Sequence, residues 1–145
     1  RGAGRRFEFL GEVNGVTIAD DYAHHPTELE ATLRAAKEMD YKRVWAVFQP
    51  FTYTRTQMLL DDFARVLQIA DKVVMTEIMG SRERAEDYAV RTKDLAAKIP
   101  GSVWYDTFDE VVDHVMKNAR PGDLVITLGC GDIYKAAKKM VAWEA

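Results

Sequence analysis

The chain has 145 residues, 48% of them hydrophobic and 30% charged, and its formal net charge is −3. This length and composition predict one globular domain with a sizeable core, and they exclude the concentrated basic surface that nucleic-acid binding needs. No apolar run approaches the roughly 18 residues of a membrane span, so we expect neither a nucleic acid nor a membrane as a partner.

The cysteine content and the start of the chain give two further expectations. The single Cys130 excludes an intramolecular disulfide, which favours a reducing compartment and predicts a cytoplasmic protein. The sequence starts with Arg1 rather than with methionine. We therefore expect residues 1–145 to be one domain of a longer protein.

The first predicted element is a β-hairpin around Asn14-Gly15, a dipeptide typical of two-residue hairpin turns. The simplest register places Glu8 opposite Asp21, which makes Arg6 the diagonal neighbour of Asp21 at about 7–8 Å. A bulge at Gly11 would shift this register. In the unshifted register, one face of the hairpin is apolar and contains Phe7, Phe9, Val13, Val16 and Ile18.

Strands and helices alternate through the rest of the chain. Apolar runs at 44–48, 72–78, 103–105 and 124–128 predict strands, and the most continuous of them are typical of strands covered on both faces. Helix starts are predicted where Thr27 precedes Glu30, where Thr54 precedes Gln57 and where Thr107 precedes Glu110. The pattern predicts an α/β fold, a doubly wound and mostly parallel sheet with the hairpin as an antiparallel edge.

The most chemically loaded strand end lies in the stretch 17–28. A short apolar run there ends in two aspartates, Asp20 and Asp21, and a tyrosine, and two histidines follow before the next helix. Ligands of open α/β sheets bind outside the carboxyl ends of the strands, so these side chains are candidate site residues. The two aspartates are also ordinary turn residues, and spacing alone leaves both interpretations open. Adjacent His24 and His25 cannot both point into one site, and we expect no metal site of the chain's own.

Two later stretches also end at this predicted edge. Gly129 and Gly131 follow a strand and precede a helix, which suits a tight turn better than a dinucleotide fingerprint because the third glycine is missing. Cys130 between them is expected to be a small packed residue. Arg55 falls in the first turn of a helix, where the helix dipole disfavours a cation. It is either an ordinary surface residue or a guanidinium held for a ligand carboxylate or phosphate.

These stretches resemble the signature motifs of the Mur ligases, ATP-dependent enzymes of bacterial cell-wall synthesis. The stretch 20–28 is similar to the family's DDYxHHPTE segment, and residues 4–8 resemble its GRRFE segment. Residues 48–56 resemble FQPHxxTRT, except that Phe51 stands where the family usually has histidine, and residues 129–133 resemble GAGDI. The four motifs cover essentially the whole chain, and the paired histidines favour the alanine-adding branch of the family or its peptide-recycling relative.

The resemblance implies a Rossmann-like third domain that closes over ATP and brings the amino acid. Domains outside this chain would bind UDP-N-acetylmuramate and carry the phosphate loop and the Mg²⁺ ligands. The ligase would phosphorylate the muramoyl carboxylate, and the amine of L-alanine would then attack the acyl phosphate. The chain lacks a phosphate loop of its own, so we expect it to be inactive when isolated.

The resemblance also assigns roles to individual residues. Arg6 and Asp21 would form the catalytic pair, with Asp21 at the ATP ribose and Tyr22 against the adenine. His24 and Arg55 would face the incoming amino acid, with Arg55 on its carboxylate. Two alternatives stay open, namely the muropeptide-recycling ligase of the same family and a non-catalytic Rossmann-like module that binds a nucleotide or a protein.

Overall fold

The computed structural model describes residues 7–144, and within that range the chain forms six β-strands and six α-helices. The strands are β1 (Glu8–Val13), β2 (Val16–Asp21), β3 (Arg43–Phe48), β4 (Lys72–Thr76), β5 (Val103–Tyr105) and β6 (Asp123–Leu128). The helices are α1 (Pro26–Glu38), α2 (Tyr53–Met58), α3 (Leu60–Leu67), α4 (Thr92–Ala96), α5 (Phe108–Asn118) and α6 (Tyr134–Val141). No helix in this range combines the length and the apolar character that crossing a bilayer requires.

The strands form one sheet in the order β1-β2-β6-β3-β4-β5. Only β1 runs antiparallel to its neighbour, and the other four pairs are parallel. The predicted α/β architecture, with its antiparallel hairpin at one edge, is therefore confirmed.

Helices cover both faces of the sheet, which makes the fold doubly wound. Helices α1, α3 and α4 share one hydrophobic cluster with one face, and α5 and α6 share a second cluster with the other face. Neighbouring residues of a strand enter different clusters, as Trp45 and Ala46 of β3 do, because side chains alternate across a sheet. In α1 the buried Leu29, Leu33 and Ala36 recur at three- and four-residue spacing and form the stripe that faces the sheet.

The hairpin contains a bulge in β1. Near the turn Gly11 pairs with Ile18 as the simple register requires, but the next pair is Phe9 with Ala19. Leu10 is therefore an extra residue of β1 without a partner in β2. Each residue of β1 before the bulge moves by one position relative to β2, which reverses the face of its side chain.

This shift corrects two predictions made for the hairpin. Glu8 pairs with Asp20 and not with Asp21, so the predicted Glu8–Asp21 pair is wrong. The predicted common apolar face is wrong as well, because Phe7 packs in the cluster under α1 while Ile18 packs in the opposite cluster. The register predicted from the Asn14-Gly15 turn is correct only between the turn and the bulge.

The predicted second helix is divided into α2 and α3, which meet at Leu59. Its N-cap also lies two residues earlier in the chain than predicted. The side chain of Thr52, not Thr54, accepts a hydrogen bond from the backbone N–H of Arg55 at 3.3 Å. Arg55 is therefore the third residue of α2 and stays within the first turn, as the sequence predicted.

Candidate functional site

The carboxyl ends of β2, β6 and β3 lie side by side and are tied together by backbone hydrogen bonds. The N–H of Gly129, just after β6, donates to the carbonyl of Asp21 at 3.3 Å. The N–H of Gln49, just after β3, donates to the carbonyl of Leu128 at 3.0 Å. The helices that follow β2 and β6 pack on opposite faces of the sheet. Open α/β sheets bind ligands in the crevice outside such a pair of strand ends, so we take the crevice at this edge as the candidate site.

Asp21 is fully buried, and its carboxylate holds the loop that follows β2. Oδ1 accepts a hydrogen bond from the N–H of Ala23 at 2.8 Å. Oδ2 accepts from the N–H of Phe7 at 3.2 Å and from the hydroxyl of Thr32 in α1 at 3.3 Å. One carboxylate thus joins the start of β1, the loop and the first helix, and a buried polar group needs such hydrogen bonds to offset its lost contact with water.

His24 and His25 lead into α1, and Glu28 organises both of them. Its Oε1 accepts from the N–H groups of His24 and His25, each at 3.2 Å, and lies 3.4 Å from His24 Nδ1. In return His25 Nδ1 accepts from the N–H of Thr27 at 3.2 Å, which completes a capping box. The predicted cap, Thr27 with Glu30, is therefore wrong, because Thr27 already belongs to the helix.

Tyr22 and His24 are in direct contact. Their rings meet edge to face with centroids 5.7 Å apart, and His24 Nδ1 lies 3.2 Å from the carbonyl oxygen of Tyr22. This oxygen and the nearby carboxylate of Glu28 are both acceptors, so Nδ1 is the ring nitrogen placed to donate to them. Tyr22 is half-buried and His24 is similarly placed at the rim of the crevice.

Arg55 reaches the same edge from α2. Within residues 7–144 its guanidinium has no hydrogen bond or ion pair, and its side chain is partly exposed. Burial raises the pKa of the Cys130 thiol, and the positive charge of Arg55 opposes that rise while the negative charge of Glu28 adds to it. Arg55 and Glu28 therefore both act on one thiol, although they follow different strands. Arg55 and Glu28 are thus both within electrostatic range of the turn after β6.

The turn after β6 is packed tightly against the end of β3. A Cβ added to Gly131 would lie 2.5 Å from Met79 Sδ and 2.6 Å from Gln49 Oε1, so a larger residue there would require these two side chains to move. Gln49 Nε2 also donates to Asp132 Oδ1 at 3.0 Å. This confirms the expectation of a tight strand-to-helix turn, and it fixes Cys130 beside the crevice.

Three expectations are not settled by these contacts. Arg6 lies outside the described residues, so its pairing with Asp21 stays a prediction. The individual roles of Tyr22, His24 and Arg55 also stay predictions. Among the described residues no group of three or more metal-binding side chains could hold an ion, and no Mg²⁺ site is assigned to them.

Two glutamates of the site region were not predicted to have a role. Glu28 has a local signal, because it follows His25 at the spacing of a capping box, although histidine is not among the usual capping residues. Glu83 has no local signal. It lies in the loop that follows β4 and binds the first turn of α2, about thirty residues earlier in the chain.

A family profile described as Mur ligase, glutamate ligase domain, matches residues 5–131. The chain belongs to this family. A UDP-N-acetylmuramate–L-alanine ligase from Acetivibrio thermocellus is 44% identical over 97% of the chain. The same alignment includes 32% of that relative, so the chain spans about a third of the length of the curated protein it matches.

Solved structures of Mur ligases have the same domain. A UDP-N-acetylmuramate–alanine ligase from Thermotoga maritima superposes with a TM-score of 0.76 over 95% of this chain and 29% of its own, at 24% identity. A murein peptide ligase from Psychrobacter arcticus gives 0.74 over the same shares at 25% identity. The fold of this Mur ligase domain is therefore that of the family.

Proposed function

We propose that the full protein containing this domain is an ATP-dependent ligase that joins L-alanine to UDP-N-acetylmuramate in the synthesis of peptidoglycan precursors. The observation that carries this proposal is the arrangement at the crevice. Arg55 and Glu28, the partner of His24, both lie within electrostatic range of the Cys130 thiol, and the guanidinium of Arg55 has no protein partner of its own among residues 7–144. The choice of L-alanine and UDP-N-acetylmuramate as substrates follows from the similarity to the alanine ligase of Acetivibrio thermocellus, which is 44% identical over 97% of the chain.

In the proposed reaction the muramoyl carboxylate attacks the γ-phosphate of ATP, which releases ADP and leaves an acyl phosphate. The amine of alanine, having lost a proton, then attacks the acyl carbon. The tetrahedral intermediate expels phosphate and leaves the amide. These steps require the amine of alanine to be held near the acyl carbon, with the carboxylate of alanine anchored. Positioning of that kind supplies much of the rate enhancement of two-substrate reactions.

We assign that anchor to Arg55, since a planar guanidinium binds a carboxylate through two parallel hydrogen bonds. His24 would lie against the same amino acid, and Tyr22 would lie against the adenine of ATP. The buried carboxylate of Asp21 orients the loop that carries Tyr22 and His24, and its contact with the ATP ribose stays a prediction. Its pairing with Arg6 as the catalytic pair is likewise part of the proposal.

We place the Mg²⁺ ligands, the phosphate loop and the UDP-sugar site in other domains of the full protein. Mg²⁺ would neutralise charge on the phosphates during the transfer, and the described residues do not by themselves fit such a site. This domain would contribute the amino-acid and nucleotide contacts, in the cytoplasm.

The proposal is tested by phosphate release from the full protein with UDP-N-acetylmuramate, ATP, Mg²⁺ and varied L-alanine. Arg55→Ala should raise the KM for alanine about ten- to a hundred-fold, because a charge-assisted contact contributes roughly 1.5–3 kcal/mol. Arg55→Lys should recover only part of this loss, because an ammonium group lacks the planar fork. The isolated 145-residue chain should fold but release no phosphate.

Arg65→Ala is the matched control. Arg65 is an exposed arginine of α3 whose ion pairs with Glu30 and Asp62 are long, at 3.6 and 3.4 Å. Its loss should therefore change neither the KM for alanine nor the KM for ATP. An unchanged KM for alanine together with a raised KM for ATP in Arg55→Ala would show that Arg55 serves the nucleotide instead.

The murein peptide ligase of similar fold makes peptide ligation the second candidate. A peptide amine offered in competition with L-alanine separates the two. Preferential ligation of the peptide would move this protein to the recycling branch of the family.

A further inference from the structure

The first turn of α2 is held by a carboxylate from the loop that follows β4. Glu83 Oε1 accepts hydrogen bonds from the backbone N–H groups of Tyr53 at 2.5 Å and of Thr54 at 3.0 Å. Its Oε2 accepts from the hydroxyl of Thr54 at 2.5 Å. These are the first two residues of the helix that presents Arg55.

The remaining donor of this turn is also occupied. The N–H of Arg55 donates to the hydroxyl of Thr52 at 3.3 Å. Thr52 has a φ of 65°, which is costly for a β-branched residue, and it is held by its own N–H, which donates to the carbonyl of Met79 at 2.8 Å. A ligand anion therefore cannot use the backbone of this turn, and recognition is left to the side chain of Arg55.

The 79–91 loop is built to keep Glu83 in place. The rings of Tyr53 and Tyr88 stack with centroids 5.6 Å apart, and the guanidinium of Arg91 covers the Tyr53 ring at 5.4 Å. Arg91 also donates to the carbonyl of Ala85 at 2.9 Å, which closes the loop on itself. A Cβ on Gly80 would lie 2.8 Å from Tyr53 Cε2, so the loop can approach the helix only with glycine there.

Glu83 also supplies a charge that α2 lacks. The first turn of α2 contains no acidic residue, and a negative charge at that end of a helix is favourable. Hydrogen bonds from Thr54, above all from its hydroxyl, hold the pKa of Glu83 below its usual range. The carboxylate is therefore ionised at neutral pH and supplies this negative charge.

We propose that Glu83 is the positioning residue of Arg55, fixing the first turn of α2 so that the guanidinium meets the carboxylate of the incoming amino acid. This inference rests on the proposed function. Glu83 acts only through α2, and its loss should weaken amino-acid binding without affecting the nucleotide.

The test uses the full protein and steady-state kinetics with varied L-alanine and varied ATP. Glu83→Ala should raise the KM for alanine about tenfold, since small misplacements of a binding group are costly, and leave the KM for ATP unchanged. Glu83→Gln keeps an acceptor for the two N–H groups and should show an increase of only about threefold. In an Arg55→Ala background, Glu83→Ala should add nothing to the KM for alanine, because the two residues act as one unit.

Glu86→Ala is the matched control, because within residues 7–144 the carboxylate of this glutamate of the same loop pairs only with the exposed Arg84, at 3.5 Å. It should behave as the parent protein. If Arg55→Ala raises the KM for alanine and Glu83→Ala does not, the inference fails and the proposed function stands. Equal increases in both KM values, or full additivity in the double variant, would also overturn it. If Arg55→Ala itself leaves the KM for alanine unchanged, the assigned role of Arg55 fails and this inference fails with it.

Discussion

The buried ion pair between Arg43 and Asp123 at the start of β3 and β6 is expected to be a major contributor to stability. Asp123 Oδ2 accepts from Arg43 Nη2 at 2.8 Å, from the indole N–H of Trp45 at 2.9 Å and from the N–H of Arg120 at 2.9 Å. The Asp123 side chain is 2% exposed and that of Arg43 is 24% exposed. One oxygen thus satisfies three donors in a region with little access to water.

Asp123→Ala should lower the free energy of unfolding by about 3–5 kcal/mol, the usual cost of removing one partner from a buried pair. Part of this loss comes from the buried indole N–H of Trp45, because an unsatisfied donor costs about 1–3 kcal/mol. Asp123→Asn should lose less, because an amide oxygen at the Oδ2 position would still accept from these donors. The measurement is urea unfolding of the 145-residue chain at pH 7.

Asp109→Ala is the control that tests whether a short ion-pair distance is enough, without burial, to give a large loss of stability. Asp109 and Lys139 are 2.7 Å apart, closer than the buried pair, but their side chains are 80% and 51% exposed. Exposed pairs contribute less than about 1 kcal/mol. If Asp123→Ala costs no more than Asp109→Ala, burial is not what gives the pair its strength, and the reasoning is wrong.

The pH dependence supplies a second check on Asp123. Burial alone would raise its pKa, but hydrogen bonds from Arg43, from the backbone of Arg120 and from Trp45 outweigh burial, and the pKa lies below its usual value. The contribution is therefore fully present above the unfolded pKa of about 3.9 and is lost as the pH falls through the lower folded pKa. The stability difference between the parent chain and Asp123→Ala should shrink over that acidic range, and a constant difference would contradict the assignment.

Two further predictions concern the turn after β6. Gly131→Ala should lower the free energy of unfolding by about 1–3 kcal/mol through overpacking, because the new Cβ would contact Met79 Sδ and Gln49 Oε1. Urea unfolding measures this loss. A variant that unfolds at the same urea concentration as the parent chain would show that these two side chains can move aside. Burial raises the pKa of Cys130 and Arg55 opposes the rise, so iodoacetamide at pH 8 should alkylate the folded chain more slowly than the urea-unfolded chain. Arg55→Ala should slow the folded reaction further, and mass spectrometry showing equal rates would contradict this.

The strand and helix layout was predictable because burial leaves a direct pattern in the sequence. All six residues of β6 are buried, and a strand covered on both faces must be apolar nearly throughout. Helices buried on one side show the three- to four-residue spacing seen in α1. Both signals are local, so no knowledge of the fold is needed to detect them.

Gly11 marked the place where β1 could bulge, but no local signal decided between the bulged and the simple register. Asn14-Gly15 specifies the turn, but the path of β1 beyond it depends on a contact with the last helix. A Cβ on Gly11 would lie 3.3 Å from Cγ1 of Val141, at the end of α6. The close approach of these two segments, 130 positions apart, is a tertiary constraint that turn chemistry does not contain.

The cap of α2 illustrates the same limit at the site. Thr52 and Thr54 are equally suitable capping residues by type. Glu83 takes the N–H groups of Tyr53 and Thr54, so the helix can begin before Thr54. The residues of the site were predictable because their strands end at one edge of the sheet, whereas the roles given to them came from the family resemblance.

The two outer strands of the sheet also affect how the domain behaves at high concentration. In the described part of the chain, β1 and β5 each have one side that is not paired with another strand, and such strands can recruit a strand from a neighbouring molecule. The bulge interrupts the regular spacing of hydrogen-bonding groups along β1, and β5 offers only three residues. Neither edge is a good template for intermolecular β-pairing, so this geometry protects a mostly parallel sheet against aggregation through its edges.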